Sequence, residues 1–289
     1  MNTTAREPSS ETFTTTQDAA TSPAGHAHGV ATPTPTSIGF LGGGRVARIL
    51  LGGWARAGAV PASVTVVDPD SAALRNLTSA FPTIHAGNLT EVATSDIVFI
   101  AVPPSAAADA ISRLRDLVAP ETLVVSLVPT LSIARVAQVL GADHPIARVI
   151  PNAPSIVGAG VNPMAFSTGV PDASRAVLLA VLAPLGQSPV VPDEQLAAYA
   201  VLTAMGPTYL WPQLYALLDV ATRTGLDPEA ALGALAAMVR GTLTTMTDAG
   251  LAPDEVQDLI PSRPLADPVA AMSAAYSEVL IALHTRLTT

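Results

Sequence analysis

Three consecutive glycines, Gly42, Gly43 and Gly44, are the residues of this chain whose type and spacing point most directly to chemistry. They separate a short apolar run, Ser37–Leu41, from a stretch of helical apolar spacing that starts at Arg45, Val46 and Ala47. Gly42, Gly44 and Ala47 satisfy G-x-G-x-x-A, the turn that receives the pyrophosphate of a dinucleotide. In such a turn the first glycine permits the tight reversal and the second lets the backbone approach the phosphates. The small third residue lets helix and strand pack closely, and the free N–H groups at the helix start attract the anion. Asp68 ends a second apolar run, Ser63–Val67, 26 residues beyond Gly42. A carboxylate in that place accepts hydrogen bonds from the adenine ribose and repels a 2′-phosphate, whereas Arg45 is placed to neutralise one. The expected cofactor is therefore NAD(P)H, with NADH slightly favoured over NADPH. Two bland readings stay open: a purely structural glycine turn, and an Asp68 that only caps the turn before Pro69.

These residues need a sheet to hold them, and the pattern from Ser37 onward alternates strand and helix, as a parallel sheet with helices on both faces requires. The reading places strands at Ile38–Leu41, Val64–Val67, Thr83–Ala86, Asp96–Val102 and Thr122–Leu127. Another begins at Arg148–Ile150, and short ones are expected near Met164–Ser167 and Pro189–Val191. Helices are expected over Arg45–Ala57, Ser71–Ala80, Ser105–Leu117 and Ile133–Leu140. The run Asp96–Val102 is continuously apolar, as a strand buried on both faces must be, and it ends at Pro103-Pro104. That places Val102 and Pro103 at the sheet's ligand edge, beside the cofactor. Asn152 follows a strand at the same edge, where its amide is able to orient a nicotinamide carboxamide or a substrate, or only to cap its loop. After Asp193 the chain reads as helix almost throughout, over Tyr209–Thr224, Pro228–Ala249 and Leu265–Leu287, with Gly225 and Gly250 as stop signals. The fold class is thus α/β: an N-terminal Rossmann-type domain over residues 37–193 and an all-α domain over 194–289. The helical part carries more apolar surface than a lone bundle hides, so a homodimer or higher homo-oligomer is expected. Residues 1–36, rich in Thr, Ser, Pro and Ala without periodicity, are expected to be disordered.

Composition excludes several classes. The net charge of −9 argues against nucleic acid and anionic membrane as partners. No uninterrupted apolar run reaches the roughly 18–20 residues that span a bilayer. The first residues lack the apolar core of a signal peptide and carry acids (Glu7, Glu11, Asp18) unlike a transit peptide, so a cytoplasmic protein is expected. There is no cysteine and no lysine, which removes thiolate and Schiff-base chemistry. The five histidines are scattered, and no metal site is read.

With the G-G-G-R-V-A turn, Arg148-Val-Ile-Pro-Asn-Ala-Pro154 and Thr203-Ala-Met-Gly-Pro-Thr-Tyr209 in view, the chain resembles the pyrroline-5-carboxylate reductases over most of Ser37–Leu287. The resemblance implies a Rossmann domain, a helical domain that interlocks in a dimer, and hydride transfer from NAD(P)H to a cyclic imine at the subunit interface. Thr208, then Thr203, become the candidate hydroxyls for an imine nitrogen, with Tyr209 a candidate proton donor, and Met205 and Gly206 line the substrate side. Mid-helix threonines also bond their own backbone, and Tyr209 also suits interface packing. The family's Ser-Pro-Gly-Gly-Thr-Thr, which holds a carboxylate, reads here Pro261-Ser-Arg-Pro-Leu-Ala266, and Met205 stands where the family has Ser. Arg263 is either a replacement grip on an acid or a solvated surface residue. The implied activity is reduction of a cyclic imine or imino acid by a pocket that has changed. Two rivals are a dehydrogenase of a different small acid and a non-catalytic NAD(P)-binding regulatory protein.

Overall fold

The computed structural model describes residues 36–288; the expected disorder of the tail concerns residues outside that range, Thr36 excepted. The chain opens with β1 (Ser37–Leu41), α1 (Arg45–Ala57), β2 (Ser63–Val67), α2 (Ser71–Ala80), β3 (His85–Ala86) and α3 (Leu89–Ala93). It continues through β4 (Ile97–Ile100), α4 (Pro104–Leu114), β5 (Leu123–Ser126), α5 (Ile133–Leu140) and β6 (Ile146–Val149). Next come β7 (Gly160–Val161), β8 (Met164–Phe166), α6 (Asp172–Leu182) and β9 (Gly186–Gln187). The main sheet has the order β3-β2-β1-β4-β5-β6-β8. β1 to β6 run parallel and β8 is antiparallel to β6.

Local signals set the helix limits. α2 starts where Asp70 accepts from the N–H groups of Ala72 and Ala73, and α5 where the Ser132 hydroxyl accepts from Arg135 N–H. α1 stops at Gly58, whose φ of +64° turns the chain out of the helix at no steric cost. The strands then sort side chains by alternation. Phe40 and Phe99, adjacent in register, stack with ring centroids 5.1 Å apart and face Trp54 of α1. The Trp54 indole N–H donates to Val181 C=O (2.8 Å), joining α1 to α6 beneath the same face. Ile100, Val124 and Ile146 point the other way, onto Ile111 and Leu114 of α4 and Val136 of α5. The sheet is therefore buried on both faces, as the continuous apolar strands require. Gly52 and Gly53, costly inside a helix, are explained by closeness: a Cβ at Gly53 would lie 2.3 Å from Ser155 O. The 3₁₀ turn Ala153–Val157 thus lies directly on α1.

Some expectations on detail are corrected. The expected strand at Pro189–Val191 forms only an isolated bridge, Val190 to Met164. The neighbouring residues Gly186 and Gln187 instead pair with Gly160 and Val161 in a separate two-stranded sheet, because Gly186 at φ +127° turns the chain there. β6 begins at Ile146, two residues before the expected start, since Pro145 ends the preceding loop and Ile146 is already apolar and fully buried.

Beyond Asp193 the described chain is helical: α7 (Leu196–Tyr199), a π-helical turn (Ala200–Ala204), α8 (Gly206–Arg223), α9 (Pro228–Asp248), α10 (Pro253–Asp258) and α11 (Ala266–Ala275). A second π-helical turn (Tyr276–Leu280) runs into α12 (Ile281–Thr288). The first part of this region has a core, where Leu196 and Ala200 pack on Ile150 and Ala165. From α8 onward the large apolar side chains lie open, among them Tyr215 at 70%, Met246 at 62% and Ile281 at 67% exposed. Ala266–Thr288 forms one continuous stretch of 23 residues, long and apolar enough by length and composition to cross a membrane, although no single run of the sequence stands out that way. Asp267, Glu278, His284 and Arg286 lie along it.

His144 lies buried in the loop after α5, its Nε2 without a partner. Burial pushes its pKa below the ordinary 6.5, against a hydrogen bond to the Thr122 backbone that raises it. Because the folded value is the lower one, the unfolded chain takes up this proton first as pH falls. The stability His144 contributes is present above about pH 6.5 and is lost below it, toward the folded pKa. Urea unfolding should show a lower midpoint at pH 5.5 than at pH 7.5, and His144→Gln should flatten that difference.

Candidate functional site

The strand order reverses between β1 and β4, which opens a crevice beyond their C-terminal ends where doubly wound sheets bind ligands. The glycine turn lies in that crevice. Gly42 has φ +102°, and a Cβ there would meet the Ala101 carbonyl at 2.6 Å, so no other residue fits the turn. Its N–H donates to Val67 C=O (2.8 Å), while Gly43 N–H donates to Asp68 Oδ2 (2.7 Å). Asp68 Oδ1 accepts from Asp70 N–H (2.8 Å). Asp68, at the end of β2, thus clamps the turn through both carboxylate oxygens. A Cβ at Gly44, by contrast, would meet nothing within 4 Å. The protein leaves that space open above the start of α1.

Gly44 caps α1 without a side-chain hydrogen bond, and no acidic residue sits in the first turn. The first intrahelical bond runs from Arg48 N–H to Gly44 C=O (3.1 Å), so the N–H groups of Arg45, Val46 and Ala47 precede it. A cavity of about 200 Å³ continues from the turn, lined by Leu41, Gly42, Val67, Asp68, Pro69, Leu89, Val102, Ala110 and Arg113. Its residues come from the ends of β1 and β2, the segment after β4, the start of α3 and one face of α4. A dinucleotide fits this arrangement: the open space and uncapped helix start suit its pyrophosphate, and the apolar walls with one carboxylate suit adenosine. Pro103, at the start of α4, stands at the rim, exposed. Reasoning from sequence alone misses Arg113 and Leu89. Arg113 follows Ala110 by three on α4, and that helical spacing is the signal able to find it. Among the described residues no group of His, Asp and Glu is arranged to hold a metal.

A second set of contacts joins the sheet to the helices. Arg148, 5% exposed, points from β6 toward α5 and donates through Nη1 to Asp193 Oδ1 (3.0 Å) and through Nη2 to Pro129 C=O. Asp193 Oδ2 accepts from Ile133 N–H, the first of α5 (3.3 Å). Asn152 accepts at Oδ1 from Val161 N–H (3.0 Å) and donates from Nδ2 to Thr203 C=O (3.2 Å). The Asn152 amide therefore faces the helical segment, not only the loop.

The family described as NADP oxidoreductase, coenzyme F420-dependent, matches residues 37–130, the stretch that carries the turn and the cavity. Over a longer span the chain is 26% identical, across 227 residues, to the pyrroline-5-carboxylate reductase of Methanosarcina acetivorans, covering 78% of this chain and 84% of that one. It is 27% identical over 225 residues to the Escherichia coli enzyme of the same name, covering 77% and 84%. Two solved structures share the fold. The 1-pyrroline-5-carboxylate reductase of Streptococcus pyogenes superposes with TM-score 0.73 at 15% identity, over 88% of this chain and 98% of that chain. The pyrroline carboxylate reductase of Plasmodium falciparum, solved with NADP bound, gives 0.72 at 17%, over 88% and 95%. The chain is similar over most of its length to pyrroline-5-carboxylate reductases.

The helical candidates stand as follows. The hydroxyl of Thr203 donates to Tyr199 C=O (2.8 Å), that of Thr208 to Met205 C=O (2.6 Å) and that of Tyr209 to Val201 C=O (3.0 Å). All three protons are engaged by backbone carbonyls of the same helical segment, while each oxygen keeps capacity to accept. Burial, with Tyr276 close by, raises the Tyr209 phenol above its usual range, so it stays protonated near neutral pH. Met205 and Gly206 form the break where the π-turn passes into α8, and both are half-buried. Arg263 is exposed and turned onto its own segment, donating to Gln257 C=O (3.0 Å) with the Asp258 carboxylate 3.7 Å away. The structure brings Gly42, Gly43, Gly44, Arg45, Val46, Asp68 and Val102 together at the crevice. It brings Asn152 to Thr203, and it leaves Arg263 apart with acidic neighbours Asp254, Glu255 and Asp258.

The Arg148–Asp193 pair also escapes a reading of the sequence, because its members stand 45 residues apart and neither carries a local signal. Removing one partner leaves the other buried charge uncompensated. Asp193→Ala should therefore lower the unfolding free energy by about 3 kcal/mol, the lower end for a buried pair because the carboxylate is partly exposed. Urea denaturation of the variant beside the parent checks this.

Proposed function

We propose that this protein reduces the C=N bond of a cyclic imine or imino acid at the expense of NAD(P)H. The observation that carries the reading is the open, uncapped start of α1 beside Gly44, set in a chain whose relatives are pyrroline-5-carboxylate reductases. Bound in the crevice, the cofactor supplies the hydride. The residues of this chain do the rest. Gly42 and Gly44 with the first N–H groups of α1 hold the pyrophosphate, and Asp68 receives the ribose hydroxyls. Val102 and Pro103 wall the crevice where β4 ends. With no lysine or cysteine in the chain, the proton on the imine nitrogen comes from solvent or from a hydroxyl of the Thr203–Tyr209 segment. Such a site works by positioning and by excluding water, not by a strongly perturbed acid or base.

The altered segments favour a substrate other than pyrroline-5-carboxylate itself. Met205 removes a hydroxyl from the helix entry, and Arg263, held by Gln257 and Asp258, is the remaining cation of the Pro261–Ala266 stretch. We read residues 37–193 as the cofactor-binding domain and 194–289 as the helical domain that completes the pocket. The open apolar faces of α8, α9, α11 and α12 are read as the surface for a second copy of the chain. The engagement of all three hydroxyls by backbone carbonyls is the observation that favours the rival reading, an NAD(P)-binding protein without turnover.

The deciding experiment follows absorbance of NADH and NADPH with pyrroline-5-carboxylate and a panel of other cyclic imines. Oxidation with at least one imine is expected, fastest with a substrate other than pyrroline-5-carboxylate; cofactor binding without oxidation on any member would sink the reading. NADH is the expected better cofactor. Asp68→Asn keeps an oxygen for Gly43 N–H but removes the charge, and should raise the NADPH-to-NADH ratio of kcat/KM about ten-fold, equivalent to about 1.4 kcal/mol. An unchanged ratio would show that the carboxylate does not face the 2′ position.

A further inference from the structure

The carbonyl of Thr203 has lost both of its helical donors. In an α-helix it would accept from residue 207, but Pro207 has no N–H. In the π-turn that ends at Ala204 it would accept from residue 208, but the Thr208 N–H is bonded to Met205 C=O (2.9 Å). The π-turn itself is drawn by Met205 N–H, which donates to Ala200 C=O (3.0 Å), one residue further back than an α-helix allows. That shift leaves Val201 C=O to the Tyr209 hydroxyl (3.0 Å). The donor that reaches Thr203 C=O is the side-chain amide of Asn152, 51 residues away in sequence (3.2 Å).

Asn152 is itself held firmly. It is 7% exposed and its Oδ1 accepts from Val161 N–H (3.0 Å). The turn that follows it, Ala153–Val157, lies against α1, where Gly53 leaves no room for a Cβ beside Ser155 O. The amide thus transmits the position of α1, whose other end carries the glycine turn, to the helix break at Thr203–Tyr209. Without that donor the half-buried carbonyl is left unsatisfied, and the break is free to unwind or turn away.

We propose that Asn152 is a positioning residue: it supplies the donor that Pro207 withholds, and so fixes the Thr203–Tyr209 segment against the ligand edge of the sheet. It acts through that helix and not by touching the cofactor. The catalytic meaning of this role rests on the proposed reductase function; the mechanical role does not.

Asn152→Asp keeps an acceptor for Val161 N–H and replaces the donor with an oxygen that repels Thr203 C=O. Three readouts are taken on the full chain: NADH affinity by quenching of its fluorescence, amide hydrogen exchange over residues 200–210, and steady-state kinetics on the best imine. The expected result is an NADH Kd within about two-fold of the parent and exchange over 200–210 faster by about ten-fold, with kcat lowered and the KM for NADH unchanged. An NADH affinity weaker by about ten-fold, with or without faster exchange, would mean that Asn152 binds the cofactor and would overturn the proposal. Unchanged exchange and unchanged affinity would overturn it as well, since the bond would then hold nothing. Should the Asp variant not fold, Asn152→Ser, too short to reach Thr203 and uncharged, is read in the same way. Affinity and exchange need no turnover, so they test the role of Asn152 even in a protein that reduces no imine.

Discussion

A guanidinium buried between a sheet and its covering helices has to find its partners on the spot, and Arg148 is that constraint here. Its Nη atoms reach Asp193 and Pro129, so one side chain of β6 fixes the loop that leaves β5 and the point where the helical region begins. Asp193 then uses its second oxygen on the first N–H of α5. An uncompensated charge in that place is costly, so the geometry is narrowly defined. The last parallel strand, the start of α5 and the entry to the helices are locked to one another by a single ion pair.

The crevice at the switch point between β1 and β4 follows a different logic, in which what is absent matters most. Gly42 and Gly43 are pinned from below, by Val67 C=O and by the Asp68 carboxylate, and Gly42 is pressed against Ala101. Above them the missing Cβ of Gly44 leaves open space, and α1 begins without a cap. The N–H groups at that start are left for water or for an anion. The same carboxylate that fixes the turn also lines the cavity that continues from it. Asp68 thereby sets the rigidity of the turn.

The helical region is packed unevenly. Leu196 and Ala200 have a core to join, but α8 to α12 leave Leu, Met, Tyr and Ile side chains open. Two π-turns interrupt it, one before α8 and one before α12, and Tyr209 and Tyr276 meet between them with ring centroids 5.9 Å apart. Gln213 donates to the Tyr276 hydroxyl (3.0 Å), adding a polar contact to this junction. The break at Thr203–Tyr209 is thus supported by Asn152 from the sheet side and by the tyrosine pair from the helical side.

Much of this is legible in the chain itself. The limits of α1, α2 and α5, the α/β class, and the glycine turn with its distant Asp68 follow from caps, periodicity and spacing, all of which act within a few residues or along one strand. What the sequence could not decide is which way the polar side chains of the second half turn. Thr203, Thr208 and Tyr209 are legible as hydroxyls, but their engagement by Tyr199, Met205 and Val201 depends on a π-turn that no local propensity announces. Asn152 is legible as a loop residue at a ligand edge, yet its partner is a carbonyl 51 residues on, orphaned by Pro207. Asp193 marks a change of composition, while its pairing with Arg148 needs the sheet to close first. The sequence by itself determined the main parallel strands, α1, α2 and α5 and the glycine turn, because short-range sterics and hydrogen bonding suffice for them. Only the tertiary structure decided how the sheet and the helical segment are fastened, because a buried charge or an orphaned carbonyl takes whichever partner the fold brings within reach.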